Sequence, residues 1–443
     1  MQIRRGYRTE LDLNNQQITA CKKHAGAARW AWNWALRRKQ EVYQHTGRSI
    51  SAMELHRELN ELKQTALPWM YEVSKAAPQE SLRDLDTAMK NFFRRVQDKK
   101  AGTFKGKSGY PRFKSKKRGI GSFRFTGSIH VYEQAIDLPR LGRLRLKECG
   151  YVPMSGIHIL SATVSEEAGR WYVSVQVLEE VPDPPSAQAE PIGVDLGISA
   201  MATASDGTVI ANPKALRSNL ICLKRLQRRL SRKKKGSKNR EKARKRLARQ
   251  HARVAHIRRD ALHKATSKLT RARLIPEERA ARQASIAASL PEPKTKVKTR
   301  KGKRQTATEG SPLSVSVAMK VKKQQAKRLL RQATEADVPL RPRILVLETL
   351  NVTGMLKNHH LAQAIADVGF AEFKRQVEYK TSWMGETLQL ADRWYPSTRR
   401  CSSCGHERDI DLSERIYICL NDECRLVIDR DLNAALNLAA LAR

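Results

Sequence analysis

No stretch of the 443-residue sequence is apolar for long enough to span a bilayer, and its opening, MQIRRGYRTEL, lacks the apolar core of a signal peptide. A membrane protein or a secreted one is therefore not expected, and the cytoplasm is the compartment the sequence suits. Acidic residues are scarce: 44 Asp and Glu stand against 85 Lys and Arg, a formal net charge of +41. A compact chain with that surplus repels itself unless a polyanion neutralises it. Nucleic acid is then the expected partner, with no membrane, and association with the nucleoid follows. Cysteine is scarce too, at 7 residues, an odd number. Cys21, Cys149 and Cys222 are scattered singly, as small buried apolar residues are, and the other four cluster at 401–424. One metal site in reducing surroundings fits that pattern better than a disulfide framework. With 40% hydrophobic residues over this length, the chain can pack two or three domains with real cores.

Along the chain, residues 1–15 read as a short extended segment and 16–100 as helical. Leu82, Leu85, Met89, Phe92 and Val96 form one amphipathic stripe. Trp30 and Trp34 share a helix face and read as core, whereas Trp32, beside Arg29, Arg37 and Arg38, is a candidate for stacking on a base. From 104 to 127, basic residues alternate with Phe104, Tyr110, Phe113, Phe123 and Phe125, a mixture suited to RNA. HILSATVS (158–165) and WYVSVQV (171–177) read as strands of a small barrel, and EEVPDPPSAQAEP (179–191) as a domain linker. IGVDLGISAMATASDGTVI (192–210) reads as three strands joined by tight turns. Residues 215–270 form two basic helices divided at Gly236, with an apolar seam of Ala243, Leu247, Val254, Ile257, Ala261, Ala265 and Leu269. Acids are nearly absent from that segment, which favours phosphate contact over a merely solvated face. Residues 271–340 are largely polar and partly disordered, with helical patches at 276–289 and 317–335; ILVLE (344–348) is a buried strand, 361–385 a helix and 387–392 a last strand.

Phosphodiester hydrolysis by two divalent ions, roughly 3.5–4 Å apart, needs converging carboxylates drawn from strand ends and a helix start. Asp195 stands where a strand meets a Gly turn, Glu348 closes ILVLE, and Asp431 opens the helix LNAALNLAALA. Each also has an ordinary explanation, as a turn acid, a surface residue or an N-cap, and Asp429 competes with Asp431. Cys401 and Cys404, with Cys419 and Cys424, make two knuckles whose thiolates can meet at one tetrahedral Zn2+, at about 2.3 Å each. Four thiolates leave no open position, so such a zinc is structural, and His406 is a surface residue.

GVDLG, LETLNVTGMLKNHHLAQAIADVGFAEFKRQVEYKTSWMG, YPSTRRCSSCG and IDRDLNAALN, in that order, resemble the transposon-encoded TnpB proteins, relatives of the compact type V CRISPR effector nucleases. RWAWNWALRRKQEVYQHTG and GYPRFKSK fit as well, so the resemblance covers most of the chain. It implies a multidomain α+β fold. A wedge-like β-barrel (1–15 and 104–180) would carry a helical recognition lobe (16–103). A split RuvC-like nuclease domain of RNase H fold (190–398 and 426–443) would carry a zinc ribbon (399–425). The implied activity is RNA-guided cleavage of double-stranded DNA beside a short flanking motif, with a guide RNA from the transposon end and a monomer in the ribonucleoprotein. Asp195, Glu348 and Asp431 would be the catalytic ligands of two Mg2+, Asp429 a supporting neighbour, and Lys75 and Gln79 readers of the flanking motif. Those two would share a helix face, although Pro78 lies between them. The chain departs from the family pattern in the 271–340 insertion, in Thr349 where an Asp often follows the Glu, and in the C-x4-C spacing of the second knuckle. A non-cleaving RNA-guided DNA-binding regulator is the first alternative, which the presence of all three acids disfavours. A conventional DNA-binding protein or transposase is the last, because no tyrosine nucleophile with a His-hydrophobe-His pair is present.

Overall fold

The computed structural model describes residues 1–116, 119–181, 190–270, 343–411 and 413–442. The 271–340 segment with its expected helical patches, and most of the 179–191 linker, lie outside the described residues. The chain divides into two units, Met1–Pro182 with Asn219–Ala255, and Asp183–Ser218 with His256–Arg443.

In the first unit, β1 (Gln2–Asp12) leads into α1 (Asn15–Thr46), α2 (Ala52–Thr65) and α3 (Ala76–Lys100). There follow β2 (Ser122–Phe125), β3 (His130–Val131), β4 (Ala135–Leu138), β5 (Gly142–Leu146), β6 (Ile157–Glu167) and β7 (Arg170–Glu180). The strands form one antiparallel sheet in the order β2-β6-β7-β1-β5-β4-β3. The first strand thus pairs with the last, Gln2 opposite Glu180, and the helices are an excursion between β1 and β2. α1 starts at a capping box: Asn14 accepts the Gln17 N–H at 2.8 Å, and the Gln17 amide accepts the Asn14 N–H at 3.1 Å. Pro78 falls in the first turn of α3, where its missing N–H breaks no helical hydrogen bond, so the helix is not interrupted.

The structure corrects the reading of Trp32, while Trp30 and Trp34 pack at the margin of the core. Trp32 is buried, its Nε1 donates to Arg112 O at 3.0 Å, and Lys114 Nζ lies 3.7 Å over its ring. Trp30 and Trp34 are half-buried and stacked on each other at 5.9 Å. The cause is that Trp32 lies on the buried stripe of α1, with Cys21, Ala25, Ala28, Ala35 and Leu36 at three- and four-residue steps, and packs in one core with Leu55 and Leu59 of α2 and Leu82 and Leu85 of α3. Phe123 and Phe125 are likewise core residues, because alternation along β2 turns both inward, while Tyr110 and Phe113 stay exposed. Of the three lone cysteines only Cys21 is buried; Cys149 is exposed and Cys222 intermediate.

The second unit holds β8 (Glu190–Asp195), β9 (Ala200–Ala204), β10 (Val209–Ala211), β11 (Arg343–Leu347) and β12 (Thr387–Leu390), in the order β10-β9-β8-β11-β12. β10, β9 and β8 are antiparallel neighbours, and β8, β11 and β12 run parallel. The basic helices α4 (Ala215–Ser231) and α5 (Lys238–Leu269) follow β10, separated by a turn in which Gly236 takes φ 84°; their stretch Asn219–Ala255 belongs to the first unit. After β11 come α6 (Val352–Met355), α7 (Ala362–Val368) and α8 (Phe370–Met384). The single helix expected over 361–385 is broken at Gly369, whose φ of 79° ends α7 and redirects the chain into α8. The hairpin β13 (Ile416–Ile418) and β14 (Val427–Asp429) and the helix α9 (Arg430–Ala439) complete the unit. Its core joins Val194, Met201, Leu345, Leu347, Leu262, Ala265, Phe370, Phe373 and Val377.

Candidate active site and metal centre

β8 and β11 are parallel neighbours, so both run out at one edge of the sheet. Asp195 is the last residue of β8, and Glu348 directly follows β11. The Leu196 N–H donates to Glu348 Oε1 at 2.9 Å, which fixes one carboxylate beside the other. The third acid arrives on α9, which packs on β8 where the strand has no side chain. A Cβ added to Gly193 would stand 1.9 Å from Ala435 O and 2.4 Å from Ala439 N. Only glycine permits that approach.

Asp431 lies in the first turn of α9, partly buried, with Arg430 Nε 3.6 Å from its Oδ1. Asp429 is not its equal. It is exposed and caps α9, its Oδ1 accepting the N–H groups of Asp431 at 2.9 Å and Leu432 at 3.0 Å. The cap occupies Asp429 and leaves the Asp431 carboxylate at the positive end of the helix. Burial raises the Asp195 pKa well above the ordinary carboxylate range, and the charges of Glu348 and then Asp431 push it further, against the pull of Arg430. The three acids thus lie close enough for the charges of Glu348 and Asp431 to act on Asp195, with Arg430 as a partial counter-charge.

The cysteines also converge. Cys401 Sγ lies 3.7 Å from Cys424 Sγ, Cys404 Sγ lies 3.5 Å from Cys419 Sγ, and the four sulfurs are all within 4.8 Å of one another. Thiolates at about 2.3 Å around a tetrahedral ion stand roughly 3.8 Å apart, so this donor set fits zinc, wide second knuckle included. The Leu426 N–H draws the Cys424 thiol down to about 7, whereas desolvation pushes Cys419 up to about 12. A zinc ion bound there would be held by all four as thiolates. His406 is exposed and contributes its carbonyl, which accepts the Cys401 N–H at 2.8 Å.

Two asparagines that the sequence reading passed over tie the halves of this region together. Asn433, fully buried on α9, donates to Arg400 O at 2.7 Å and accepts the Ser402 N–H at 2.9 Å. Asn437, one turn later, donates to Ser397 O at 2.8 Å and Arg400 O at 2.6 Å. The helix that carries Asp431 thus also grips the start of the first knuckle. Two Asn at i and i+4 on the buried face of an amphipathic helix were the available signal. Lys75 and Gln79 belong to the other unit: Lys75 is exposed at the start of α3 and Gln79 partly buried one turn on, its N–H donating to Lys75 O at 3.3 Å. Thr349 is engaged with Ala391 O at 2.7 Å.

The IS605 OrfB family model, described as "Probable transposase", matches residues 173–273, and a "Cas12f1-like, TNB domain" model matches 370–438. A "Helix-turn-helix domain" model matches 1–48, which folds here as β1 and the single helix α1. A protein of Streptomyces pristinaespiralis described as "Putative RNA-guided DNA endonuclease" is 30% identical over 99% of this chain and 89% of its own length. InsQ of Escherichia coli (strain K12), under the same description, is 28% identical over 98% and 91%. A cryo-EM structure of a Cas12f1–sgRNA–target DNA complex aligns over 99% of both chains at 13% identity, with a TM-score of 0.31. By the extent of its likeness to these relatives, the chain belongs to the TnpB family of RNA-guided DNA endonucleases.

Proposed function

We propose that the chain is an RNA-guided endonuclease that cuts double-stranded DNA beside a short flanking motif, by metal-assisted hydrolysis of a phosphodiester bond. One observation carries the reading: Asp195, Glu348 and Asp431 converge from two strand ends and a helix start. Two Mg2+ ions bound there would activate the attacking water and neutralise the leaving oxygen. Asp195 and Glu348 present their carboxylates from adjacent strands, Asp431 presents its own from α9, and the Leu196 N–H and the Asp429 cap hold two of the three in orientation. The cysteine cluster would hold one structural Zn2+, and Asn433 and Asn437 would transmit its order to the helix that bears Asp431.

In this reading, residues 190–398 and 426–443 form a RuvC-like nuclease domain of RNase H fold, with 399–425 as its zinc ribbon. Support comes from a sheet assembled out of strands distant in sequence, 190–211, 343–347 and 387–390. Residues 1–15 and 104–180 form the wedge-like barrel and 16–103 the recognition lobe, which accords with a sheet that joins β1 to β7 around a helical excursion. Lys75 and Gln79 read the flanking motif, and guide pairing reads the rest of the target. Intact acids disfavour a regulator that binds without cutting.

The test is to sequence RNA that co-purifies with the full chain. A discrete RNA ending in transposon-flanking sequence is expected. Absence of bound RNA from a preparation that still selects a DNA sequence would overturn the guided reading.

A further inference from the structure

Trp394 is the most exposed aromatic side chain among the described residues, with 79% of its surface open. An isolated exposed aromatic needs no explanation by itself, but this one is held rigidly in a particular place. β12 runs parallel to β11, so its carboxyl end opens at the edge where Asp195 and Glu348 stand. The Ala391 N–H donates to Leu347 O at 2.8 Å and the Thr349 hydroxyl donates to Ala391 O at 2.7 Å, which fastens the start of the next turn on both sides of Glu348. The Asp392 carboxylate accepts the Trp394 N–H at 2.8 Å and closes that turn. Beyond it, the Tyr395 hydroxyl donates to Asn437 O at 3.2 Å and Asn437 Nδ2 donates to Ser397 O at 2.8 Å. One end of the turn is therefore tied to the strand before Glu348 and the other to the helix bearing Asp431. Arg393 lies with its guanidinium 4.8 Å from the indole centroid.

We propose that Trp394 is a positioning residue for the cleavage step: its indole stacks on an unpaired base of the strand being cut, Arg393 meets the adjoining phosphate, and the pair presents the scissile phosphate to the three carboxylates. The inference deepens the proposed function and rests on it. An indole face is a sequence-tolerant platform for any base, as guided cleavage requires, and it can take only a base freed from its duplex neighbours. Guide pairing supplies such a strand by displacing it. The common edge of parallel strands is also where ligands of open α/β sheets are bound.

Two measurements on the full chain with its guide RNA test this. In single-turnover cleavage, Trp394→Ala should slow cutting roughly 5- to 150-fold, the equivalent of one lost stacking contact, with target affinity unchanged. Trp394→Phe should recover most of the rate. Trp394→Ala cutting at the parental rate, or Trp394→Phe failing as badly as the alanine variant, overturns the platform. In the second, an oligodeoxynucleotide with 5-iodouracil at the cut position is photo-crosslinked to the Asp195→Ala chain. Crosslinking is expected in the tryptic peptide Trp394–Arg399, and its confinement to other peptides overturns the proposal. Crosslinking to that peptide in a protein whose parent never cuts would keep the platform and sink the nuclease reading. Cutting that requires Asp195 yet ignores Trp394 would do the reverse.

Discussion

The backbone of Gly193 lies against the backbone of Ala435, so close that a Cβ on the strand would fall 1.9 Å from the helix carbonyl. This approach sets how near Asp431, at the start of α9, comes to Asp195, two residues beyond Gly193. Gly193→Ala must push the helix away, at a cost of about 1–3 kcal/mol for overpacking. Because a displacement of about 1 Å can cost ~10²-fold in rate, cleavage should fall by more than the loss of folded protein explains. Thermal midpoints and cleavage rates measured side by side will show it; a variant as active as the parent would mean that this contact does not set the site.

Asp429 and Asp431 should separate cleanly by substitution. Asp429→Ala removes an N-cap worth roughly 1 kcal/mol and should slow cutting about tenfold or less, while Asp429→Asn, which still accepts the same N–H groups, should stay near the parent. Asp431→Ala should lose at least about 10³-fold in cleavage rate, as removal of one member of a catalytic unit does. The opposite ranking would assign the metal to Asp429.

Zinc content offers an independent check. The purified chain should carry one zinc, and Cys401→Ser or Cys424→Ser should release it. Structural zinc contributes about 10–16 kcal/mol in small zinc domains, so its loss should open residues 399–425 to protease and abolish cleavage through the Asn433 and Asn437 contacts. A chain without zinc that resists protease and cuts normally would contradict the scaffold role.

A pH effect on stability should arise in the first unit. His24 is buried, with Nδ1 donating to Ala20 O at 2.8 Å and Nε2 accepting the Ser74 N–H at 3.0 Å, so it folds as the neutral ring, and burial lowers its pKa below the usual 6.5. The unfolded ring takes up a proton below its ordinary pKa and the folded ring does not. The contribution of His24 is therefore complete above that pH and is lost as pH falls toward the lowered value. His24→Gln keeps an acceptor for Ser74 and does not titrate. The parent's thermal midpoint should drop more than the variant's between about pH 7.5 and 5.5, as calorimetry can record. Parallel curves would remove His24 from the account.

What the sequence shows well is local. The period-2 and apolar runs of HILSATVS, WYVSVQV and ILVLE, the glycine dividing α4 from α5, and the paired cysteines are signals written within a few residues of each other. What it hides depends on who packs where. Trp32 lies on a buried stripe of α1 that is mostly alanine, and the carbonyl that accepts its indole N–H lies 80 residues away, so the flanking arginines dominate the local text. Phe123 and Phe125 sit in basic text that suggests RNA, yet both side chains of this edge strand face the core. At the candidate site, the individual acids can be picked out from their strand ends and helix start. Their convergence, the cap role of Asp429 and the approach of α9 to Gly193 appear only in three dimensions. The grip of Asn433 and Asn437 on the first knuckle is equally tertiary, because their partners lie 31–40 residues back.

The central claim is that Asp195, Glu348 and Asp431 form one metal-dependent cleavage site served by a guide RNA. Its most direct test is cleavage of a guide-matched duplex, in Mg2+, by the full chain with its RNA, comparing the parent with Asp195→Ala. The account predicts that the variant binds RNA and target as the parent does and cuts at least about 10³-fold more slowly. Cutting at the parental rate by Asp195→Ala would contradict it.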